Sequence, residues 1–504
     1  MVVPAMTSST IDDLINKVRA YEPTSDVEQI REAYAFASEA HAGQKRVTGE
    51  PYVSHCLATA LNLADMRMPT SIVVAGLLHD VPEDTQRTIQ EISQRFSPDV
   101  AKMVAGITKL GKLKYRGIER YLENLRKMFL AMAQDIRVII IKFADRLHNL
   151  ETLDAIPPKK QYRVALESIE IFAPIANRLG MGEMKGRIED ASFKYIYPKE
   201  YAWTLELANT TREGKREYLE TVINKTRQDL EAAGLREVGV HGRAKHLYSL
   251  YRKLLKHDRD IARIYDLMAI RVIVPTIADC YAALGVIHGT WTPLKGRIKD
   301  YIAQPKPNGY RSLHTTVFCN DGEIVEFQIR TPEMHRVDEF GVAAHWQYDE
   351  TKGKLKTPEA VDRETKWMEQ LAELQREIAD KKQYLSALEE LKIDVFRDRI
   401  FVFTPKGDVI DLPEDSTAVD FAYSIHTEIG NQCTAAKVND EMTALDRPLK
   451  SGDMVEVVTD KSRKGPNPDW LKSVKTQHAK KCIRQYAKSS LTTWIKGLIP
   501  GGGK

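Results

Sequence analysis

Apolar residues recur at helical spacing through the first two hundred positions. The stretches 53–66, 71–80, 122–153 and 161–179 carry this period, and breaks containing Pro or Gly separate them. The pattern predicts an all-α domain over residues 1–200. Pro82 lacks the N–H that a helix interior needs, so it should stop the helix carrying His79 and Asp80. Glu83 and Asp84 then fall in the turn that follows. In the 122–153 stretch, Asp145, Asn149 and Thr152 are spaced i, i+4, i+7, which sets all three on one helix face.

From about residue 236 to 346 the period shortens to that of strands. GVHGR, DLMAIRVIV, HTTVFC and EIVEFQIR are short β-branched runs, and the amphipathic helix KHLYSLYRKLLK lies between the first two. In the last run Val325, Phe327 and Ile329 alternate with Glu326, Gln328 and Arg330, which predicts a half-buried strand. A mixed α/β domain over 201–350, its sheet covered on one face, follows. Residues 351–397 read as a charged helical linker. Over 398–460, RIFVFT and VIDL flank the turn PKGD as a hairpin; STAVDFAYSIHTEIG reads as a helix stopped by Gly430, and TAAKV, TAL and MVEVVT as further strands. That order resembles a β-grasp module. Residues 461–504 form a basic helical segment and a tail ending LIPGGGK.

Composition adds limits. At 504 residues the chain is too long for one domain, and a net charge of +4 argues for no particular partner. Five scattered cysteines without a CxxC pair indicate neither a disulfide framework nor a zinc ribbon. No apolar run approaches the roughly 18 residues of a membrane span, and the start lacks a secretory pattern. A cytoplasmic protein without a membrane partner is the simplest expectation.

Two groups of residues carry chemistry. His55, His79, Asp80 and Asp145 form a mixed nitrogen and oxygen set that suits Mn, Fe or Co better than a structural zinc. With Glu83 and Asp84 close by, such a site could activate water against a phosphate ester. The other reading is four polar residues closing helix ends in a bundle.

The second group lies in GRAKHLYSLYRK and LKGRIKDYIAQPKPNGYRSLHTT. Arg243, Lys245, Lys253, Lys295, Arg297, Lys299, Lys306 and Arg311 can neutralise phosphates; Asn308 can read a base edge; Tyr310 offers a stacking face beside His314. Asp266 and Glu326 could hold Mg²⁺, with one acid acting as a general base. No P-loop signature is present. A solvated basic face, or an RNA-binding surface without catalysis, fits the same residues.

These segments in this order resemble the long Rel/SpoT-type enzymes, bifunctional guanosine penta/tetraphosphate synthetases and hydrolases of the bacterial stringent response. HAGQKRVTGEPYVSH, LLHDVPEDT, KFADRLHN and ANRLG resemble the family's HD hydrolase domain. GRAKHLYSLYRK, RIKDYIAQPKPNGYRSLHTT and VEFQIRTPEMH resemble its nucleotidyltransferase-like synthetase domain, and FVFTPKGDVIDLP through LKSGDMVEVVT its TGS domain. The resemblance covers about residues 30–488; the family's C-terminal zinc-finger-like and ACT domains are absent from this sequence. It implies Mn²⁺ on His55, His79, Asp80 and Asp145, a water managed by Glu83 and Asp84, and a guanosine nucleotide held by Arg46, Asn149 and Thr152. In the synthetase half it implies ATP phosphates on Arg243, Lys245 and Lys253, and Mg²⁺ on Asp266 and Glu326. Glu326 is then the base on the acceptor 3′-hydroxyl, Tyr310 stacks on guanine, and Lys306, Asn308 and His314 line that pocket. RIKD, with Arg297 and Lys299, is the form of that motif that bifunctional members carry.

The implied activities are transfer of pyrophosphate from ATP to GTP or GDP and removal of pyrophosphate from (p)ppGpp. The TGS-like module, with His426, implies uncharged tRNA or the ribosome as a partner; the basic 461–488 segment reads equally as a solvated face. Alternatives are a Mn²⁺-dependent hydrolase only, or a tRNA-responsive binding protein with vestigial sites. Cys56, Pro82, Arg311 and Gly186 depart from the family's usual residues. Pro82 bears on the turn holding Glu83, Arg311 on the charge of the acceptor pocket, and Gly186 on a domain junction where Trp is common.

Overall fold

A computed structural model describes residues 9–111, 128, 131–132, 134–261, 264, 269–306, 309–344, 399–406, 409–450, 452–463, 465–476 and 478–487. Asp266, Asn308 and the 351–397 segment lie outside the described residues. Contacts divide the chain into two compact units, Met1–Glu377 and Ile378–Lys504.

The first unit begins with α1 (Ile11–Tyr21), α2 (Val27–Ala40), α3 (Val53–Asp65), α4 (Thr70–Leu78), the one-turn α5 (Val81–Asp84), α6 (Ile89–Arg95) and α7 (Pro98–Gly111). It continues with α8 (Arg137–Glu151), α9 (Pro158–Glu167) and α10 (Ala173–Arg178), the last two joined by a π turn over Ser168–Phe172. Then come α11 (Gly182–Ile196) and the long α12 (Pro198–Ala232). α4 is apolar all round and all of it except Ser71 is buried, as a central helix must be. It packs between α3 and α8, and those three helices bring the metal-type residues together.

Two expectations change here. The 122–153 stretch is not one helix. Its chain leaves helical geometry at Asp135, and α8 starts afresh at Arg137, whose guanidinium binds Asp135 and makes two bonds to Asp99. Pro82 does more than end a helix: it occupies the first turn of α5, where a missing N–H costs nothing. Glu83 and Asp84 therefore sit on a helical turn whose backbone N–H groups donate to the Asp80 carbonyl.

The α/β part contains β1 (Gly239–Arg243), α13 (Leu247–Lys256), β2 (Ala269–Ile273), α14 (Ile277–Thr290), β3 (Thr292–Pro293), β4 (Lys299–Asp300), β5 (Leu313–Phe318), β6 (Ile324–Arg330) and α15 (Pro332–Phe340). The sheet order is β1-β2-β6-β5-β3, with β4 on β5; β2 and β6 are parallel and the other pairs antiparallel. Val240, Ile270, Val272, Val325, Phe327 and Ile329 form one apolar core with residues of α12 and α14. β6 is not half-buried as its alternation predicts: Gln328 and Arg330 on the polar side are only 2% and 1% exposed. Asp338 of α15 neutralises Arg330, so a polar strand face can be covered without leaving its charge alone.

The second unit has the expected hairpin, β7 (Arg399–Phe403) with β8 (Val409–Pro413), and a second sheet. That sheet orders β10 (Glu441–Thr443), β9 (Cys433–Val438) and β11 (Val455–Thr459) as β10-β9-β11, and a parallel bridge from Phe403 to Met454 links it to the hairpin. The single helix predicted before Gly430 is two, α16 (Ala418–Ile425) and α17 (Thr427–Gln432), broken at extended His426. Gly430 is not a stop signal. It lies inside α17, where an added Cβ would meet the Tyr423 ring at 2.4 Å. The basic segment is also more than an appendage. Val474, Ala479 and Ile483 pack on Val419 and Tyr423, and buried Asp420 accepts the Lys475 and Thr476 N–H groups.

Candidate active sites

In the helical part, His55 lies on α3, His79 and Asp80 follow α4, and Asp145 is on α8. The donor atoms of His55, His79 and Asp80 lie within 4.8 Å of one another. Asp145 Oδ1 is 3.2 Å from His55 Nε2 and 3.9 Å from His79 Nε2. Both rings are oriented from behind. His79 Nδ1 donates to the Gly76 carbonyl at 2.7 Å, and His55 Nδ1 meets His148 Nδ1 at 2.8 Å. Each therefore turns Nε2 toward the centre. His79 Nε2 is buried and lies 3.1 Å from Asp80 Oδ2 without hydrogen-bond geometry, so on giving up its proton it would offer a lone pair to a cation. Burial works against a charged His79, yet Asp80 and Asp145 outweigh it and lift the group to about 9. Asp145 is held well below the usual carboxylate range: burial opposes this, and Lys142 and His55 overcome it. Two carboxylates and two inward imidazoles in one negative field fit a divalent cation.

The flanking groups complete a pocket. Burial raises Glu83, and the neighbouring Asp80 and Asp84 add to that against Lys142, so Glu83 is suited to hold and release a proton. Arg46 bonds Asn149 Oδ1 at 2.9 Å and Thr152 Oγ1 at 3.4 Å, and Asn149 Nδ2 donates to Asp145 Oδ1 at 2.5 Å. The helix-face residues and Arg46 thus form one wall reaching the metal-type cluster.

Sequence reasoning passed over two neighbours. The Tyr52 hydroxyl lies 3.0 Å from Asp80 Oδ2 and 2.6 Å from Asp84 Oδ2, joining a candidate ligand to a candidate acid. His148, pushed down to about 3 by burial and by His55 and Arg46, is the neutral ring behind His55. Their signal was available: Tyr52 precedes His55 by three residues and His148 follows Asp145 by three, one helical turn in each case.

In the α/β part, Arg243, Lys245, Lys253 and Glu326 line one cavity of about 230 Å³ with His246, Ser249 and Ala269. Strand register explains this. Arg243 pairs with Ala269 and Ala269 with Glu326, so the three form one row across the sheet. A hydrogen-bonded chain then crosses the polar face. Arg243 donates to Gln328 Oε1 at 3.2 Å, and Gln328 Nε2 donates to Glu326 Oε2 at 3.1 Å. His314 Nδ1 reaches Glu326 Oε1 at 3.1 Å, and the Tyr310 hydroxyl meets His314 Nε2 at 2.7 Å. Burial lowers His314 although Glu326 opposes it. The neutral ring donates to Glu326 and accepts from Tyr310. Gln328, two residues from Glu326 and so on the same strand face, was the residue missed.

Lys306 Nζ lies over both Tyr301 and Tyr310, at 4.6 and 4.7 Å from the ring centres. Lys299 pairs with His314 in the β4–β5 register, while Lys295 and Arg297 are exposed beside it. Arg311, expected to add charge to the acceptor pocket, is exposed, and its backbone N–H donates to Asp338.

Comparison with known proteins agrees with this layout. A family profile described as HD domain matches residues 33–182; a region found in RelA / SpoT proteins matches 242–353; a TGS domain matches 400–459. A GTP pyrophosphokinase of Myxococcus xanthus is 44% identical over 94% of this chain and 62% of its own length. A guanosine-3′,5′-bis(diphosphate) 3′-pyrophosphohydrolase of Aquifex aeolicus is 44% identical over 95% of the chain and 67% of its own. The bifunctional (p)ppGpp synthase/hydrolase SpoT of Escherichia coli K12 is 42% identical over the same shares. The chain spans between 58% and 67% of the length of these and similar curated relatives. Three profiles in register, and more than 40% identity over two thirds of two relatives, make this chain a member of the RelA/SpoT family.

Proposed function

We propose that this chain both makes and degrades guanosine 3′-pyrophosphates. One observation carries the reading: a single compact unit assembles a negative, metal-type pocket and, separately, a cationic cavity containing a positioned carboxylate. A negative cluster that gathers a cation suits hydrolysis. A cationic cavity suits alignment of two polyanions.

For hydrolysis, a divalent ion, Mn²⁺ in this reading, would be held by His55, His79, Asp80 and Asp145. When bound it supplies acidification of a water and polarisation of the 3′-phosphate. The chain supplies the rest. Glu83 and Asp84 orient the water and take its proton, Tyr52 fixes Asp84 against Asp80, and Arg46 with Asn149 and Thr152 holds the guanosine. The products are GDP or GTP and pyrophosphate.

For synthesis, Arg243, Lys245 and Lys253 grip the ATP phosphates. Glu326 takes the proton of the acceptor 3′-hydroxyl, whose oxygen bonds the β-phosphorus as the α–β bridge breaks and AMP leaves. His314 and Gln328 hold one Glu326 oxygen each, so the base is aimed before substrate arrives. Tyr310, with Lys306 above it, offers the guanine platform. Mg²⁺ on Glu326 and Asp266 would balance the phosphate charge.

The TGS-bearing unit supports a further partner, the 3′ end of an RNA such as tRNA. His426 is exposed at the α16–α17 break, and Lys461, Lys472, Lys481 and Arg484 are exposed on the packed basic segment. No helix among the described residues is long and apolar enough to cross a membrane. Incubating the purified chain with Mg²⁺, ATP and GDP, and separately with Mn²⁺ and ppGpp, tests both reactions. Absence of pyrophosphate transfer and of hydrolysis would refute the reading.

A further inference from the structure

All of α11 after Gly182 lies between the two matched catalytic segments: one profile ends at residue 182 and the next begins at 242. Yet it touches both sites' frameworks. On one side Arg187 donates to Asn62 of α3 at 3.0 Å. On the other, Glu183, Gly186 and Asp190 share a face at i, i+3, i+7 and receive a single side chain, His246. Asp190 Oδ2 is 2.8 Å from His246 Nδ1, and Glu183 Oε2 is 3.5 Å from Nε2. Gly186 makes the seat: an added Cβ would stand 2.2 Å from the imidazole.

The same carboxylate also caps a helix. His246 is the N-cap of α13 but its side chain makes no capping bond. Asp190 Oδ1 instead accepts the Tyr248 N–H at 2.9 Å, from 58 residues away in the chain. A carboxylate at a helix start satisfies an orphan donor and opposes the helix dipole. α13 then presents His246, Ser249 and Lys253 at i, i+3, i+7 to the cavity shared with Arg243, Lys245 and Glu326.

We propose that Asp190 is a positioning residue for the triphosphate-donor half of that cavity. It fixes the start of α13 and, through His246, the placing of Ser249, Lys253 and the Arg243–Lys245 edge. The proposal rests on the synthetase reading above. Asp190 is not among the residues lining the cavity, and the acceptor side has hydrogen bonds of its own, from Tyr310 to His314 and from His314 to Glu326. Its loss should therefore weaken ATP binding rather than the chemical step.

The test uses the full chain as wild type, Asp190→Asn, Asp190→Ala, His246→Ala and the double Asp190→Ala/His246→Ala. Pyrophosphate transfer is measured across ATP and GDP concentrations, with melting temperature and ppGpp hydrolysis on the same preparations. Asp190→Ala should raise KM for ATP about tenfold, equivalent to ~1.4 kcal/mol. kcat, KM for GDP and hydrolysis should stay within about twofold. The isosteric Asp190→Asn, which keeps a neutral acceptor, should raise KM for ATP about fivefold and decides the matter should the alanine variant fail to fold. The double variant should be within about twofold of Asp190→Ala, because both changes break one path. KM for ATP within twofold of wild type, or a fall in kcat at constant KM, overturns the proposal. Should wild type transfer no pyrophosphate, the activity reading fails, and calorimetry with a non-hydrolysable ATP analogue decides separately. About tenfold weaker binding by Asp190→Ala supports the positioning role; equal affinity, or no binding by wild type, overturns it.

Discussion

The two sites of the first unit solve opposite electrostatic problems. Around His55 and His79 the protein concentrates negative charge in a buried place, with the rings 1% and 0% exposed. That is costly unless a cation arrives, and second-row partners such as His148, Lys142 and Asn149 hold the donors in wait. Around Glu326 the protein spreads positive charge along a sheet face and holds the Glu326 carboxylate between His314 and Gln328. The first arrangement suits a divalent cation, the second suits polyanions. On the proposed reading, one compact unit holds a site that makes the 3′-pyrophosphate and a site that hydrolyses it, with no residue common to both.

The largest effects should separate the two sites cleanly. Asp80→Ala, or dialysis against a chelator, should lower ppGpp hydrolysis by about a thousandfold or more, because several kcal/mol of charge stabilisation leave with the metal. Added Mn²⁺ should restore the dialysed wild type but not the variant. Pyrophosphate transfer by Asp80→Ala should stay within about twofold. Glu326→Gln should do the converse, costing about 10²–10⁴ in transfer as expected for a lost general base. A variant of either kind that damages both reactions equally would show that the sites are not independent chemical centres.

The same contrast governed what could be read from the chain. The synthetase residues are local in sequence, since strand alternation and helix period map GRAKHLYSLYRK and VEFQIR directly onto one cavity wall. His55, His79 and Asp145 come from three helices, so no period connects them and they were legible only as a set. The misreadings share a cause. Gly430 and Pro82 carry strong local signals, but tertiary packing decided their roles: a Tyr423 ring against one, a fresh helical turn around the other. The pairing of buried Arg330 with Asp338 of α15 is a tertiary contact that strand alternation cannot see. Asp190 was invisible because its partners lie 56 and 58 residues away.

Smaller effects probe how the negative pocket is held. His148→Ala leaves all four candidate ligands in place but frees the His55 ring. Manganese affinity, read by calorimetry on the resting protein, should fall about 10- to 100-fold, as for other losses behind a metal ligand. Tyr52→Phe removes a hydroxyl that joins Asp80 to Asp84. It should lower kcat for hydrolysis about tenfold while changing Mn²⁺ affinity less than His148→Ala does. Equal metal affinity in His148→Ala and wild type would mean that the buried helices alone orient His55.

The smallest effect concerns the join between the two regions. Burial opposes a charged His246, but Asp190 and Glu183 prevail and raise it to about 9, against about 6.5 for a free imidazole. A group raised on folding contributes stability that is complete below the unfolded value and lost as pH climbs through the folded one. Wild type should therefore exceed His246→Gln in melting temperature by a roughly constant margin below pH ~6.5, about 2 °C for ~1 kcal/mol in a chain of this size. The margin should narrow between about 6.5 and 9 and be nearly gone above that. Because the comparison is a difference between two proteins at each pH, other titrating groups cancel to first order. The narrowing should be much weaker when both proteins also carry Asp190→Asn. A margin that stays constant from pH 6 to 10 would mean that the imidazole fills space against Gly186 without its charge holding the join.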